Sequence, residues 1–233
     1  MSRAKFIVVP VLIFLVSFLA CCRKDSAIAT AATTSLVKSA IIDSGYANTY
    51  TYDSLGRQIM AQIDTVVTTY GYGQGYVLKT ITLAGQQFIT DYTTNASGLA
   101  TSDTKGYVYA YDNSGYLISK SYTGAGSFDS ITYTISGGNA ITSVEHQADS
   151  ATNNVITTNY TYLSTIDSRN FGLAFLGKAN TNLISTVAIT QTISGSSYTA
   201  NYTYTYSYDS RGRVSQQVIN NGSASYISTY TYY

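Results

Sequence analysis

The sequence predicts an all-β fold: an antiparallel meander of Tyr-rich hairpins that forms a strongly curved sheet or barrel-like structure. Three observations predict it. First, the 233 residues include 24 Tyr amid abundant Thr and Ser, a composition that favours strands. Second, a Tyr-rich alternating run ends three times in the same kind of turn: YTYDSLGR at residues 50–57, YVYAYDNSGY at 107–116 and YTYTYSYDSRGR at 202–213. Third, turn signals recur at about two strand lengths or less, and no segment has the periodicity of a helix of ordinary length.

The repeated turn has a physical logic. Asp53, Asp112 and Asp209 end a strand, two residues follow, and Gly56, Gly115 or Gly212 comes next. This is the composition of a type I turn closed by a left-handed Gly. The Asp side chain bonds its own turn, and Gly accepts the positive φ that a Cβ would resist. A three-residue loop places Asp209 opposite Arg213 and Tyr208 opposite Val214, then Tyr206 opposite Gln216 and Tyr204 opposite Val218. The same register pairs Tyr111 with Leu117, Asp53 with Arg57 and Tyr50 with Met60. One face is then Tyr with apolar partners, and the other is mostly Thr, Ser, Gln and Asn. A closed barrel and an open curved sheet with a covering element both satisfy this pattern. A transmembrane barrel requires an apolar outer band, so the polar second face points to a water-soluble sheet.

The ends define the organisation. Residues 1–20 read as a signal segment, with a basic start at Arg3 and Lys5 and an apolar run over 6–19. The run meets Cys21 and Cys22 through FLACC, which resembles the lipobox of bacterial lipoproteins. The resemblance favours lipidation at Cys21, with Cys22 as the alternative. Residues 21–40 are small and polar and read as a flexible tether, leaving 41–233 as a single antiparallel β domain. Both cysteines of the chain lie at this junction, so the domain has neither a disulfide framework nor a thiolate metal site. The expected setting is the cell envelope, lipid-anchored, at the outer membrane of a Gram-negative bacterium.

One segment breaks the hairpin rhythm: TIDSRNFGLAFLGKANTN at residues 165–182. Asp167 or Ser168 is placed to cap a short helix, with Phe171 and Phe175 one turn apart and Gly177 at its end. Phe171, Phe175 and Leu176 then supply a lid over one end of the sheet, or a docking loop.

Chemistry is sparse. Charged residues make up 11% of the chain and nearly balance, so nucleic acid is not an expected partner. His146, the lone histidine, follows Glu145, the lone glutamate, and alternation sends the two to opposite faces of a strand. No nucleophile elbow, paired metal-binding His, phosphate loop or Cys nucleophile appears, and the turn Asp residues have a structural explanation. No catalytic residue, metal or cofactor is therefore expected, although dispersed carboxylates leave a glycan-active site as an alternative. Exposed Tyr faces would suit a glycan or a lipid. Asp followed by Ser or Thr and an aliphatic residue, at Asp25, Asp53, Asp64, Asp129 and Asp149, resembles an O-glycosylation pattern of some Gram-negative bacteria.

YDSLGR, YDNSGY and YDSRGR resemble the YD repeats of the Rhs family, whose large shells are far bigger than this chain. Over its whole length the chain more closely resembles a family of secreted bacterial lipoproteins of unknown function with YD-like hairpins. The lipobox, the Tyr hairpins and FGLAFLGKANTNLIS carry that resemblance. It implies a porin-like envelope β protein and assigns no catalytic residues. The leading expectation is a non-enzymatic envelope lipoprotein that binds or scaffolds at the membrane surface. The alternatives are a carrier of a lipid or other apolar ligand in the concavity of the sheet, and a glycan-binding or glycan-active protein.

Overall fold

Sixteen antiparallel strands close into one barrel in which each strand pairs with its sequence neighbours and β1 pairs with β16. The computed structural model describes residues 36–43, 45–124, 127–149 and 153–233. The first eight strands are β1 (Val37–Ile42), β2 (Tyr46–Tyr52), β3 (Gln58–Ile63), β4 (Val66–Gly73), β5 (Tyr76–Leu83), β6 (Gln86–Thr94), β7 (Ala100–Asp103) and β8 (Val108–Tyr111). The remaining eight are β9 (Leu117–Gly124), β10 (Ser127–Ser136), β11 (Asn139–Asp149), β12 (Asn153–Ile166), β13 (Asn182–Ile193), β14 (Ser196–Tyr208), β15 (Val214–Asn220) and β16 (Ser225–Tyr232). The barrel therefore begins at Val37, and residues 37–40, read from sequence as tether, are strand. The signal segment, Cys21 and Cys22 lie outside the described residues.

Alternation decides which side chains face the lumen. Val77, opposite Tyr72 and Tyr92, is buried with Tyr70 and Tyr109 in one inner cluster. Tyr160, Val187 and Tyr204 form a second on the far wall. The outer face is mixed: Thr161 bonds Thr186 at 2.7 Å and Thr192 bonds Ser197 at 2.9 Å across neighbouring strands, and Ile41, Leu78, Ile89, Val108, Phe128 and Ile227 stand exposed on it.

The turns follow the expected chemistry. Asp53 N–H donates to the Arg57 carbonyl at 2.9 Å, and Gly56, with φ of 73°, donates to the Asp53 carbonyl at 3.0 Å. The Asp53 carboxylate accepts the N–H groups of Leu55 and Arg57, each at 2.9 Å. Asp112 and Asp209 repeat the pattern, and so do Asp103 and Asn95, two turns that the Tyr motif did not single out. Arg57 and Arg213 add ion pairs to Asp53 and Asp209 at 2.6 and 2.8 Å. Burial raises the Asp53 carboxyl, but Arg57 and the N–H donors outweigh it and hold it below the ordinary value.

Beyond the turns the expected register fails by one residue. Tyr208 faces Val214 and Tyr111 faces Leu117 as expected, but Tyr206 faces Gln217, Tyr204 faces Ile219 and Tyr50 faces Ala61. The cause is a β-bulge: Ser215, Ile59 and Ile118 are extra residues at the start of their return strands. Further bulges occupy the corresponding ends of β1, β7, β11 and β13. Each adds local twist and bends its strand, which helps a sheet of this length to close.

A tyrosine hydroxyl from the following strand reaches the residue before the extra one. Tyr52 donates to the Val37 carbonyl at 2.7 Å, Tyr72 to Gln58 at 2.8 Å and Tyr162 to Ala140 at 2.6 Å. Tyr206 donates to Ile184 at 2.8 Å and Tyr232 to Val214 at 2.7 Å.

Asn95 makes the same backbone bonds as the Asp turns without a charge, so Asp53→Asn should remove only the ion pair. It is expected to cost about 0.2–1 kcal/mol in denaturant unfolding, against about 1–3 kcal/mol for Asp53→Ala, which orphans the turn N–H groups. Equal losses for the two variants would contradict this division.

Candidate functional site

The two ends of the barrel are built differently. Every hairpin from an even to an odd strand turns at one end, where β1 also begins and β16 finishes. There the connection between β12 and β13 is the long segment 167–181, which folds across the opening as a plug. It bonds four separate points of the rim. The Asn170 carbonyl accepts from Val37 N–H at 3.0 Å and the Gly172 carbonyl from Gln58 N–H at 3.1 Å. Lys178 N–H donates to Gly115 at 2.9 Å, and Thr181 N–H donates to Gly138 at 3.0 Å. Gly172, with φ of 68°, lies so close to the first hairpin that a Cβ would sit 2.6 Å from the Gly56 carbonyl oxygen.

The plug is not the capped helix expected from sequence. Its regular part is a single 3-10 turn, Ala174–Leu176, without a side-chain cap, and Gly177 N–H closes it on the Ala174 carbonyl. Asp167 instead pairs with Arg169 in two parallel contacts, at 2.9 Å to Nε and 2.7 Å to Nη2. Both side chains are buried, and the remaining guanidinium donors reach Gln217 and, at 3.2 Å, the Tyr230 hydroxyl. The Tyr206 and Tyr230 rings lie 5.7 and 5.4 Å from the guanidinium. Burial opposes the charge on Arg169, but Asp167 and these partners hold it well above its ordinary range. Of the three apolar plug residues singled out by sequence, Phe175 is buried among Tyr92, Tyr70 and Tyr72, with ring centroids at 5.1, 6.0 and 6.3 Å. Leu176 packs against the same cluster, and Phe171 meets Tyr50 edge-on at 5.3 Å.

Away from the plug the lumen opens. On β6 the inner face runs from Tyr92, 8% exposed, to Phe88, 50% exposed; on β14 it runs from Tyr204 at 6% to Tyr198 at 59%. Val77 and Leu83 on β5 repeat the trend from buried to exposed. Inner-face side chains are therefore buried at the plugged base and exposed at the opposite end, the mouth.

Its walls differ in chemistry. The inner faces of β5 to β11 carry Lys79, Asp103, Lys120, Asp129 and Glu145. Those of β12 to β16 carry Ile156, Ile189, Tyr198, Tyr202, Ile219 and Tyr226. Tyr hydroxyls tie down two of the acids: Tyr107 donates to Asp129 and Tyr109 to Asp103, both at 2.7 Å. The Lys120 ammonium lies 3.7 Å from the centroid of the Tyr107 ring. Burial pushes Lys79 down, helped by Lys105 and Lys120. It also pushes Lys120 down, against the pull of Asp129, Asp103 and Glu145. Burial raises the Glu145 carboxyl; the hydrogen bond from Gln147 opposes this, and the Asp129 charge adds to it. That wall presents hydrogen-bond donors and acceptors of both signs, and the other is uncharged, with its Tyr and Ile side chains beside the amides of Asn154, Gln191 and Gln217.

The sequence residues divide accordingly. Asp53, Gly56, Asp112, Gly115, Asp209 and Gly212 sit in rim turns at the plugged end. Glu145 faces the lumen and His146 the outside. Among the described residues no group of three or more His, Cys, Asp or Glu converges to hold a metal. The charged wall is not apparent in the sequence, because its five members are spread over residues 79–145 and only the pairing of β5 to β11 gathers them. Alternation within each strand was the one available signal, and the bulges break its continuity.

Among solved structures, the chain is similar to a porin-like protein from Bacteroides uniformis ATCC 8492, with 21% sequence identity and a TM-score of 0.55. The match covers 84% of this chain and 97% of that one, and the shared property is a porin-like fold. No family model matches the sequence, and no curated protein matches it.

Removing Arg169 leaves Asp167 buried without a partner, so Arg169→Met should cost about 3–5 kcal/mol in urea unfolding. Adding Asp167→Asn should recover most of it; a single-variant loss below about 1 kcal/mol would deny the pair its structural role. At alkaline pH the inner tyrosines set the limit. Burial, then the Asp103 charge, pushes Tyr92 from 10 up to about 12; burial, then the bond to Asp129, does the same to Tyr107. Their contribution is complete below pH 10 and is lost as pH rises towards about 12, because the unfolded chain ionises first. Absorbance titration should show these phenols ionising together with loss of the β circular-dichroism signal. Ionisation of every tyrosine near pH 10 with an intact signal would overturn this.

Proposed function

We propose that the protein is a non-enzymatic, lipid-anchored envelope barrel whose lumen receives a small apolar or amphipathic ligand through its single open mouth. The observation that carries this reading is the exposure gradient along the inner wall, from sealed base to open rim. A plug hydrogen-bonded to four points of the rim argues against passage through the barrel and for a receptacle. The two unlike walls suit a ligand with an apolar body and a polar end. Cross-strand hydroxyl pairs on the exterior favour attachment through an N-terminal lipid at Cys21 over a wall embedded in the bilayer. This assignment agrees with the resemblance to secreted lipoproteins with YD-like hairpins and with the porin-like fold. A glycan is the second reading for the ligand, favoured by the exposed ring of Tyr198 on the inner wall.

Native mass spectrometry of the protein purified from its own membrane tests both halves. The expected result is an acylated N-terminal Cys21 and a retained apolar molecule that disappears in Ala200→Trp, a substitution that fills the lumen opposite Ile189. A retained oligosaccharide would select the glycan reading. An unmodified N-terminus would sink the anchor, and a ligand-free wild type that takes up neither decanol nor a maltose oligomer would sink the receptacle.

A further inference from the structure

We infer that the plugged base is the face of the barrel that rests on an anionic lipid surface, so that the mouth opens away from the membrane. The inference rests on the lipid-anchor reading for attachment and adds an orientation that attachment alone does not supply. Cys21 lies fifteen residues before Leu36, and a stretched chain of that length reaches about 50 Å. A span of that reach is long enough for either end of the barrel to meet the membrane, so the surface of the barrel must select one.

The chain enters at the base. Leu36 bridges to Asn170 of the plug, and its carbonyl accepts the Tyr233 N–H at 3.3 Å. At this end Arg57 and Arg213 are neutralised by Asp53 and Asp209. That leaves Lys38, Lys178 and Arg211, all exposed, against Asp112. The mouth has the opposite sign. Asp43 and Asp64 stand exposed in its turns, and Asp103 and Asp129 lie at its rim, against Lys105 and Lys120. A bilayer rich in anionic lipid attracts the first end and repels the second.

An apolar contact reinforces the charge. Leu55, at the tip of the first base hairpin, is 72% exposed. It borders a cleft of about 290 Å³ between that hairpin and the plug, lined also by Tyr76, Phe175 and Arg57. A protruding Leu beside a basic group and an apolar cleft is suited to sink among lipid headgroups.

The folded domain contains no cysteine, so single labels are readily placed. Full-length protein carrying Cys22→Ser and either Ser54→Cys at the base or Thr65→Cys at the mouth is labelled with a fluorophore. It is then reconstituted on phosphatidylcholine–phosphatidylglycerol vesicles containing nitroxide-headgroup lipid. The base label should be quenched several-fold more than the mouth label. That ratio should collapse in the combined Leu55→Ser, Lys178→Gln, Arg211→Gln variant, whose substitutions are all on exposed turns. Equal quenching, or stronger quenching at the mouth, would overturn the orientation. Intact mass on the same sample reports acylation separately. If the N-terminus proves unmodified, coupling Cys21 to a maleimide-lipid restores attachment, and the quenching ratio still decides the orientation.

Discussion

Closure of the sheet through β1 and β16 is the constraint on which the other features of the molecule depend. A meander of sixteen short strands left open would expose two edges, and closing it removes both while creating an interior that must be filled. Bending so many strands into a ring calls for bulges, and each bulge disturbs the ladder of backbone hydrogen bonds. Tyrosine answers both needs. Its ring fills the lumen, and its hydroxyl reaches the backbone carbonyl next to a bulge, as Tyr52, Tyr72, Tyr162, Tyr206 and Tyr232 do. Phenylalanine would supply the ring and leave the carbonyl wanting, which gives a physical reason for a chain with 24 Tyr and 7 Phe.

The same closure makes two ends, and the protein treats them unequally. The bulges lie at the base, where the plug adds a buried Asp167–Arg169 pair and the Phe175 ring. A buried ion pair is a poor source of net stability but costly to break, so it holds one arrangement of the plug against others. Among the described residues, the connections at the mouth are short turns. The plug makes the two ends unlike, and that polarity is the structural fact on which the proposed ligand access and the proposed orientation at the membrane both rest.

The two faces of the wall differ. Cross-strand hydroxyl pairs such as Thr161 with Thr186 and exposed apolar side chains such as Ile89 and Phe128 lie outside, while tyrosine, isoleucine and a patch of charge lie within. Lys79, Lys120 and Glu145 are partly desolvated on one wall and face an uncharged wall across the lumen, which makes the lumen amphipathic.

The sequence by itself determined the local features. Asp and Gly at fixed spacing specified the turns at Asp53, Asp112 and Asp209, because these depend on bonds within five residues. Period-two alternation made one face tyrosine and the other hydroxyl, since strand geometry needs no distant partner. Only the tertiary structure decided the rest. The register beyond each turn shifted because a bulge answers to the curvature of the whole sheet, which no single hairpin contains. Residues 37–40, Val-Lys-Ser-Ala, read as tether because so short a stretch acquires a strand role only when β16 returns to pair with it. Asp167 left its expected capping role because it pairs with Arg169, which Gln217 and Tyr230 hold in a space that closure creates. The charged wall of the lumen was hidden for the same reason: its members are distant in sequence, and antiparallel pairing alone makes them neighbours.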